Sequence, residues 1–130
     1  MQVQECQIPQ VKRDMDYVRE LLLAIEADPR FDGTSWFALG LDESSGEHSK
    51  DELDYHVVML VEAGFLKGQV GFGTPSISKL TWAGHEFLDD IRDASIWGKT
   101  KERISGLTSV SLAVIAEIAK AEIKKKLGLS

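Results

Sequence analysis

The histidines and the single cysteine are the residues best suited to metal binding or nucleophilic chemistry, but their spacing does not favour either. His48 lies in a predicted loop, whereas His56 and His85 lie near the beginnings of predicted helices. They do not show the i, i+4 spacing of a zinc-binding helix, so the sequence predicts no metal site. Cys6 has no second cysteine to pair with and no basic neighbour to activate it, so we interpret it as an unreactive thiol.

A short acidic cluster, Asp89, Asp90 and Asp93, could in principle supply a general acid and base. A solvated helix face explains these carboxylates better than catalysis does. The glycines at 71 and 73 belong to a predicted turn and precede no lysine–serine pair, so nothing indicates a phosphate-binding loop. We therefore predict a non-enzymatic protein with no catalytic residue, no metal, no cofactor and no small-molecule substrate.

Lysines are the remaining candidates for ligand contacts, and their distribution is uneven. The candidate nucleic-acid contacts flank the predicted hairpin or gather in the last predicted helix: Lys67, Lys79, Lys120, Lys124, Lys125 and Lys126. Cations at a helix C-terminus also stabilise the helix dipole, and this structural role explains the last four better than a ligand contact does. Residues 1–98 carry 8 Lys and Arg against 18 Asp and Glu, a net charge of −10, whereas residues 99–130 carry 7 against 3, a net charge of +4. An acidic body repels a nucleic-acid backbone, and only the last segment attracts one.

The first predicted helix begins after Asp14, which is an acceptable N-cap. Its apolar stripe consists of Met15, Val18, Leu22 and Ile25. Asp28 ends it, because a residue before proline avoids the helical region. Residues 35–41 are interpreted as a short strand, and residues 42–48 as a loop.

The second helix has clear signals at both ends. Ser49 and Glu52 form an S-x-x-E capping box, and Gly64 supplies the left-handed residue after the helix. The buried stripe consists of Leu53, Val57, Leu60 and Val61. Residues 65–70 and 77–82 then predict a hairpin whose tip is the glycine–proline turn at 71–75.

Two further helices complete the prediction. Thr81 is the N-cap of the third, whose inner face consists of Ala83, Phe87, Leu88, Ile91 and Ala94. Gly98 can kink or split this helix before it ends at residues 104–106. The tryptophans are interpreted as core or interface anchors: Trp36, Trp82 and Trp97. The last helix runs from about Ser109 to Leu127 and is apolar on two sides, which predicts packing against its own domain and a partner subunit. The predicted dimer interface consists of Leu112, Ile115, Ile118, Ala119 and Ile123.

Two segments carry a resemblance to known proteins. HVVMLVEAGFLKG and KLTWAGHEFLDDIRD resemble the H-x-x-x-L-x-E-A-G-L-[IV] and L-T-x-x-G-x-x-F-L pattern of many bacterial winged-helix proteins. Residues 11–19 and 91–101 are similar to segments of an uncharacterised bacterial and prophage family, a domain of unknown function. That similarity extends from Lys12 to Leu129 and implies a winged-helix-like fold, without implying an activity.

The chain departs from the winged-helix pattern in one place. A helix-turn-helix has a helix directly before its recognition helix, whereas residues 35–48 are interpreted as a strand and a loop. The exposed positions of the second helix are also unsuited to DNA: Lys50, Asp51, Asp54, Tyr55, Val58 and Glu62. Groove-reading helices usually offer Arg, Lys, Asn or Gln, whereas this surface combines carboxylates with Tyr55 and Val58. It favours a basic, partly apolar protein partner, although a solvated surface with no partner is an open alternative.

At 130 residues, the chain is expected to be one mainly helical α+β domain with three helices, a two- or three-stranded wing and a helical extension. We divide it into a poorly ordered leader (1–12), a winged-helix-like domain (13–106) and a carboxy-terminal dimerisation helix (107–130). The predicted function is a regulatory module that binds a protein through Lys50, Asp51, Asp54, Tyr55 and Val58 and through the wing. The alternative is a dimeric DNA-binding transcriptional regulator. No secretory signal or membrane span is recognised, so a cytoplasmic location is expected.

Overall fold

A computed structural model describes residues 13–40, 48–71 and 73–129. The predicted leader, Leu41, Phe72 and the predicted loop before His48 lie outside the described residues. The helices are α1 (Met15–Ala27), α2 (Lys50–Glu62), α3 (Trp82–Ile91), α4 (Ala94–Ile104) and α5 (Leu112–Lys126). One antiparallel sheet is formed by β1 (Leu66–Gln69) and β2 (Ser76–Leu80). The predicted α+β, mainly helical class is confirmed, and the order of elements is consistent with a winged-helix-like arrangement.

Helix α1 begins and ends where its capping residues predict. The Asp14 side chain accepts a hydrogen bond from the Tyr17 amide at 3.2 Å, and Asp28 is already extended. The predicted stripe is buried from Val18 onward, while Met15 is half-buried. Tyr17 and Leu21, which the predicted stripe omits, are also buried, so the inner face is wider than a single stripe.

Both predicted ends of α2 are confirmed. The Ser49 hydroxyl accepts from the Glu52 amide at 3.1 Å, and the Glu52 carboxylate accepts from the Ser49 amide at 2.8 Å. Gly64 has a φ of 86°, which is the left-handed conformation that favours glycine after a helix. One buried residue of α2 was not predicted to be in the core: His56 is only 1% exposed.

The hairpin is joined to α2 and α3 at its base. Leu66 pairs with Leu80 and Lys67 with Lys79, and an irregularity follows Lys67. Below this pairing, the Thr81 hydroxyl donates to the Gly64 carbonyl at 2.5 Å, and the Thr81 amide donates to the Phe65 carbonyl at 3.0 Å. The end of α2 and the start of α3 are therefore held together by residues 17 apart in sequence.

The predicted strand at 35–41 is wrong over the described residues 35–40. Only Phe37 forms a bridge to the sheet, by exchanging two backbone hydrogen bonds with Ile77 at 2.9 and 2.8 Å. Phe37 therefore lies on the open edge of β2 as a single paired residue. The predicted third strand of the wing is reduced to this contact.

The predicted third helix is two helices, and the break is not at Gly98. Gly98 lies inside α4, whereas α3 ends at Ile91 and the Asp93 carboxylate caps α4. The Arg19 guanidinium donates to the carbonyls of Ile91 and Arg92 at 2.8 and 2.6 Å, which satisfies groups left open at the end of α3. Ala94, predicted on the inner face, is instead the exposed first residue of α4. Hydrogen bonds from Ser95 and Ile96 lower the pKa of Asp93 to about 2, so this cap is charged at neutral pH.

Helix α5 belongs to the common core. It begins after Ser111, whose hydroxyl accepts from the Val114 amide at 3.2 Å, and not near Ser109 as predicted. It packs against α3 and α4, with Ile115 and Ala119 fully buried. The carboxy-terminal helix therefore completes the core of the chain.

Candidate interaction surface

The outward side of α2 carries two apolar side chains with an acidic side chain at either end. We call these four residues the α2 stripe: Asp51, Tyr55, Val58 and Glu62. These positions lie three or four residues apart, so their side chains share one face of the helix. Asp51 and Glu62 are exposed, Tyr55 is 38% exposed and Val58 is half-buried. The stripe thus places an aromatic and an aliphatic side chain between two carboxylates.

The cation of α2 is already paired. The Lys50 ammonium lies 2.6 Å from the Asp54 carboxylate and donates to the Thr74 hydroxyl at 2.8 Å. Lys50 and Asp54 therefore join α2 to the wing and neutralise one another. Of the five residues predicted to bind a partner, Asp51, Tyr55 and Val58 are left to form the contact surface.

Tyr55 also borders an open groove of about 550 Å³ between the start of α1 and the segment that joins α4 to α5. The apolar residues in its lining are Met15, Ile104, Leu107, Val110 and Ile115. Leu107 is 59% exposed, and the Arg13 guanidinium donates to the Val110 carbonyl at 2.8 Å. The apolar part of the α2 stripe therefore continues into a groove that no sequence periodicity in α2 could reveal.

Buried aromatic side chains support Tyr55 from behind. The rings of Tyr55 and His56 meet edge-on with centroids 5.5 Å apart, and Tyr17 meets His56 at 5.0 Å. The His56 Nε2 atom accepts from the Asp14 amide at 2.9 Å, and its Nδ1 atom lies 2.7 Å from the Glu52 carbonyl. These contacts use both ring nitrogens, so His56 is a structural residue that holds α1 against α2.

Most of the predicted basic cluster in α5 is engaged within the chain. Lys120 lies 3.9 Å from Asp90, Lys125 lies 3.8 Å from the buried Glu122, and Lys126 lies 3.7 Å from Asp93. Burial raises the pKa of Asp90 despite its neighbour Lys120. Lys124 is exposed. These lysines therefore connect α5 to acidic residues of the chain and do not form a continuous positive surface.

Lys67 and Lys79 differ from that cluster. They face each other across the hairpin, both are exposed, and neither forms an ion pair with a carboxylate of the described residues. The ammonium of Lys67 lies 5.9 Å from the centre of the Trp36 ring. The structure brings these two lysines together and separates them from the lysines of α5.

The tryptophans, predicted to be core or interface anchors, divide between the core and the surface. Trp97 is buried, and its indole N–H donates to Asp16 at 2.7 Å. Burial raises the pKa of Asp16, but the hydrogen bonds from Trp97 and Lys101 outweigh it and lower the pKa overall. Trp36 is 41% exposed, and Trp82 is 80% exposed because the first residue of α3 points away from the core.

The residues predicted to form a dimer interface separate into two groups. Ile115 and Ala119 are fully buried within the chain, so they lie in its own core instead of facing a second copy. Leu112, Ile118 and Ile123 are half-buried. Ile118 borders an open apolar groove of about 340 Å³ with Val114, which is 44% exposed.

The side chains able to bind a metal ion are scattered in the described ranges. Across residues 13–40, 48–71 and 73–129, no group of three or more His, Cys, Asp and Glu side chains could hold a metal ion. His48 lies 3.6 Å from Glu52 and His85 lies 3.7 Å from Glu26, each as a single partly exposed contact. Within the same part of the chain, no helix is both long and apolar enough to cross a membrane.

The fold is a small, mainly helical α+β domain whose order of elements is consistent with a winged-helix-like arrangement. The family model for the hypothetical proteins DUF2513 matches residues 12–111, and the chain belongs to this family. It is also similar to an uncharacterized protein of Haemophilus influenzae, with 28% identity over 122 residues, which covers 90% of this chain and 99% of the relative. No solved structure matches the chain.

Proposed function

We propose that this protein is a non-enzymatic regulatory module that binds a basic, partly apolar protein partner through the α2 stripe and the adjoining groove. The observation that carries the proposal is the position of Tyr55, between the carboxylates of Asp51 and Glu62 and at the edge of the groove. Interfaces commonly combine an aromatic anchor with a polar rim. A partner with Lys or Arg around an apolar side chain fits this arrangement.

The same geometry disfavours the use of α2 as a DNA recognition helix. Its cation, Lys50, is held by Asp54, while Asp51 and Glu62 face outward as negative charges. A negative helix repels the phosphates that flank a groove. Residues 28–40, which follow α1, also contain no helix that could cross a DNA backbone.

Photo-crosslinking tests this interface directly in a bacterial host that carries the gene. We expect p-benzoylphenylalanine at position 55 to form an ultraviolet-dependent adduct with a basic protein, and the same residue at the exposed Glu86 of α3 not to form it. Asp51→Lys and Glu62→Lys should weaken the adduct because they reverse the charge of the rim. Adducts with nucleic acid, or with no macromolecule at all, would contradict a protein-binding role for α2.

We propose in addition that the protein forms a homodimer through the outer side of α5. Val114 and Ile118 expose an apolar strip bordered by Glu117 and Arg103, so the strip carries both signs of charge. Such a surface can be complementary to itself across a two-fold axis.

Sedimentation equilibrium tests the dimer. Val114→Glu should convert a dimer into a monomer, because it places a carboxylate at the centre of the apolar strip. Lys124→Glu, on the same helix and exposed, should leave the dimer intact. Removal of α5 is not a suitable variant since Ile115 and Ala119 belong to the core. A monomeric wild-type protein at micromolar concentration would overturn this part of the proposal.

A further inference from the structure

The two lysines of the hairpin are not explained by the stability of the fold. Lys67 and Lys79 are direct cross-strand partners, and like charges in that position repel each other. Lysines of α4 and α5 such as Lys101 and Lys126 are matched to carboxylates, whereas these two have no ion-pair partner among the described residues. Two neighbouring lysines that have no carboxylate partner can bind an anionic ligand, which would relieve their mutual repulsion.

Two exposed tryptophans lie beside this pair of lysines. The Trp36 ring lies beside the Lys67 ammonium, and Trp82 shares an open groove of about 370 Å³ with Lys79. The side chains of Trp36, Lys67, Lys79 and Trp82 therefore follow one another across the outside of the hairpin, and we call them the hairpin surface. An indole that is 80% exposed at Trp82 is unusual for a residue of this size.

The acidic residues near the hairpin surface are occupied by other contacts. Glu26, which lines the groove beside Trp82, accepts from the Arg92 guanidinium at 2.6 and 2.8 Å. Asp32 accepts from the amide and the hydroxyl of Thr34 at 2.9 and 2.6 Å. Neither carboxylate reaches Lys79 as an ion pair, so the lysine charges remain available to a ligand.

We propose that the hairpin surface binds single-stranded nucleic acid. Lys67 and Lys79 contact successive backbone phosphates, and unpaired bases stack on Trp36 and Trp82. Sequence-independent single-strand binding combines cations along the backbone with aromatic side chains for the bases. A duplex presents its phosphates but hides its base faces, so exposed indoles favour the single strand. The ligand and the residues both differ from those of the α2 stripe.

Fluorescence anisotropy at low salt tests this inference with labelled oligo-dT and oligo-U of about 12 nucleotides, together with a duplex of equal length. We expect the single strands to bind more tightly than the duplex and to quench tryptophan emission. The DNA and RNA oligonucleotides show which sugar the surface prefers. The logarithm of the binding constant should fall with the logarithm of salt concentration with a slope of about −1.4, as expected for two phosphate contacts.

Variants assign the binding to this surface. The double variant Lys67→Glu and Lys79→Glu should bind at least about tenfold more weakly, and Trp82→Ala about tenfold more weakly with less quenching. Lys99→Glu makes the same kind of charge change at an exposed position elsewhere and should bind as the wild type does. Absence of binding at low salt, preference for the duplex, or equal binding by the double variant would overturn the proposal. Asp51→Lys separates the two surfaces, because it should weaken the protein adduct without abolishing oligonucleotide binding.

Discussion

Replacement of Gly84 by alanine is expected to lower the free energy of unfolding by about 3 kcal/mol or more. A Cβ atom at this position would overlap the carbonyl oxygen of Phe65, which is backbone and accepts the Thr81 amide at 3.0 Å. Gly84 also donates its own amide to the Thr81 hydroxyl at 3.0 Å, so α3 cannot shift away without breaking its cap. Thermal denaturation should show a midpoint lower by on the order of 10 °C, and urea denaturation should show a lower midpoint concentration.

Gly98→Ala is the matched control, since it makes the same change in a helix with open space. A Cβ at Gly98 meets no atom within 4 Å. Alanine in a helix interior is favoured over glycine by roughly 0.5–1 kcal/mol, so this variant should be slightly more stable than the wild type. Equal stability of the Gly84 and Gly98 variants would show that the close approach of α3 to Phe65 is not present in solution.

Replacement of His56 by leucine is expected to lower the free energy of unfolding by about 2–3 kcal/mol, although leucine is apolar and of similar size. The imidazole is 1% exposed and accepts from the part-buried Asp14 amide, which leucine would leave without its partner. It also bonds to the Glu52 carbonyl, so both ring nitrogens are used. Chemical denaturation followed by circular dichroism measures the loss.

His85→Leu is the corresponding control because His85 is exposed on α3 and its imidazole only approaches the Glu26 carboxylate, at 3.7 Å. Its effect should stay within about 0.5 kcal/mol of the wild type. If His56→Leu were as stable as His85→Leu, the hydrogen bond between α1 and α2 would contribute nothing, and the core would depend on apolar packing alone.

Local signals in the sequence were sufficient for the elements that end in a side-chain cap or a glycine. Ser49, Glu52 and Gly64 set the bounds of α2, and Thr81 sets the start of α3, because each bonds to backbone within a few residues. The break between α3 and α4 was misplaced because Gly98 appeared the stronger breaker. The real signal was Asp93 followed by Ser95, whose hydroxyl donates to the capping carboxylate at 2.6 Å.

Contacts between distant parts of the chain could not be predicted from spacing. His56 is buried because its partner is the Asp14 amide, 42 residues away, and no pattern within α2 specifies that bond. The groove beside Tyr55 depends on how α1 and the α4–α5 connection meet α2. Trp82 was predicted to be a core or an interface anchor, and only the structure shows that its position at the start of α3 directs it outward.

The closed base of the hairpin separates the parts of the chain that tolerate a change in length from those that do not. Thr81 ties the hairpin to Gly64 and Phe65, so extra residues inserted at the tip, near Gly71 and Gly73, leave this base intact and affect α2 only through the contact between Lys50 and Thr74. The base has no such freedom because Gly84 lies against Phe65. The tip is therefore the natural place for relatives to gain or lose residues, and the place where a reporter epitope could be inserted.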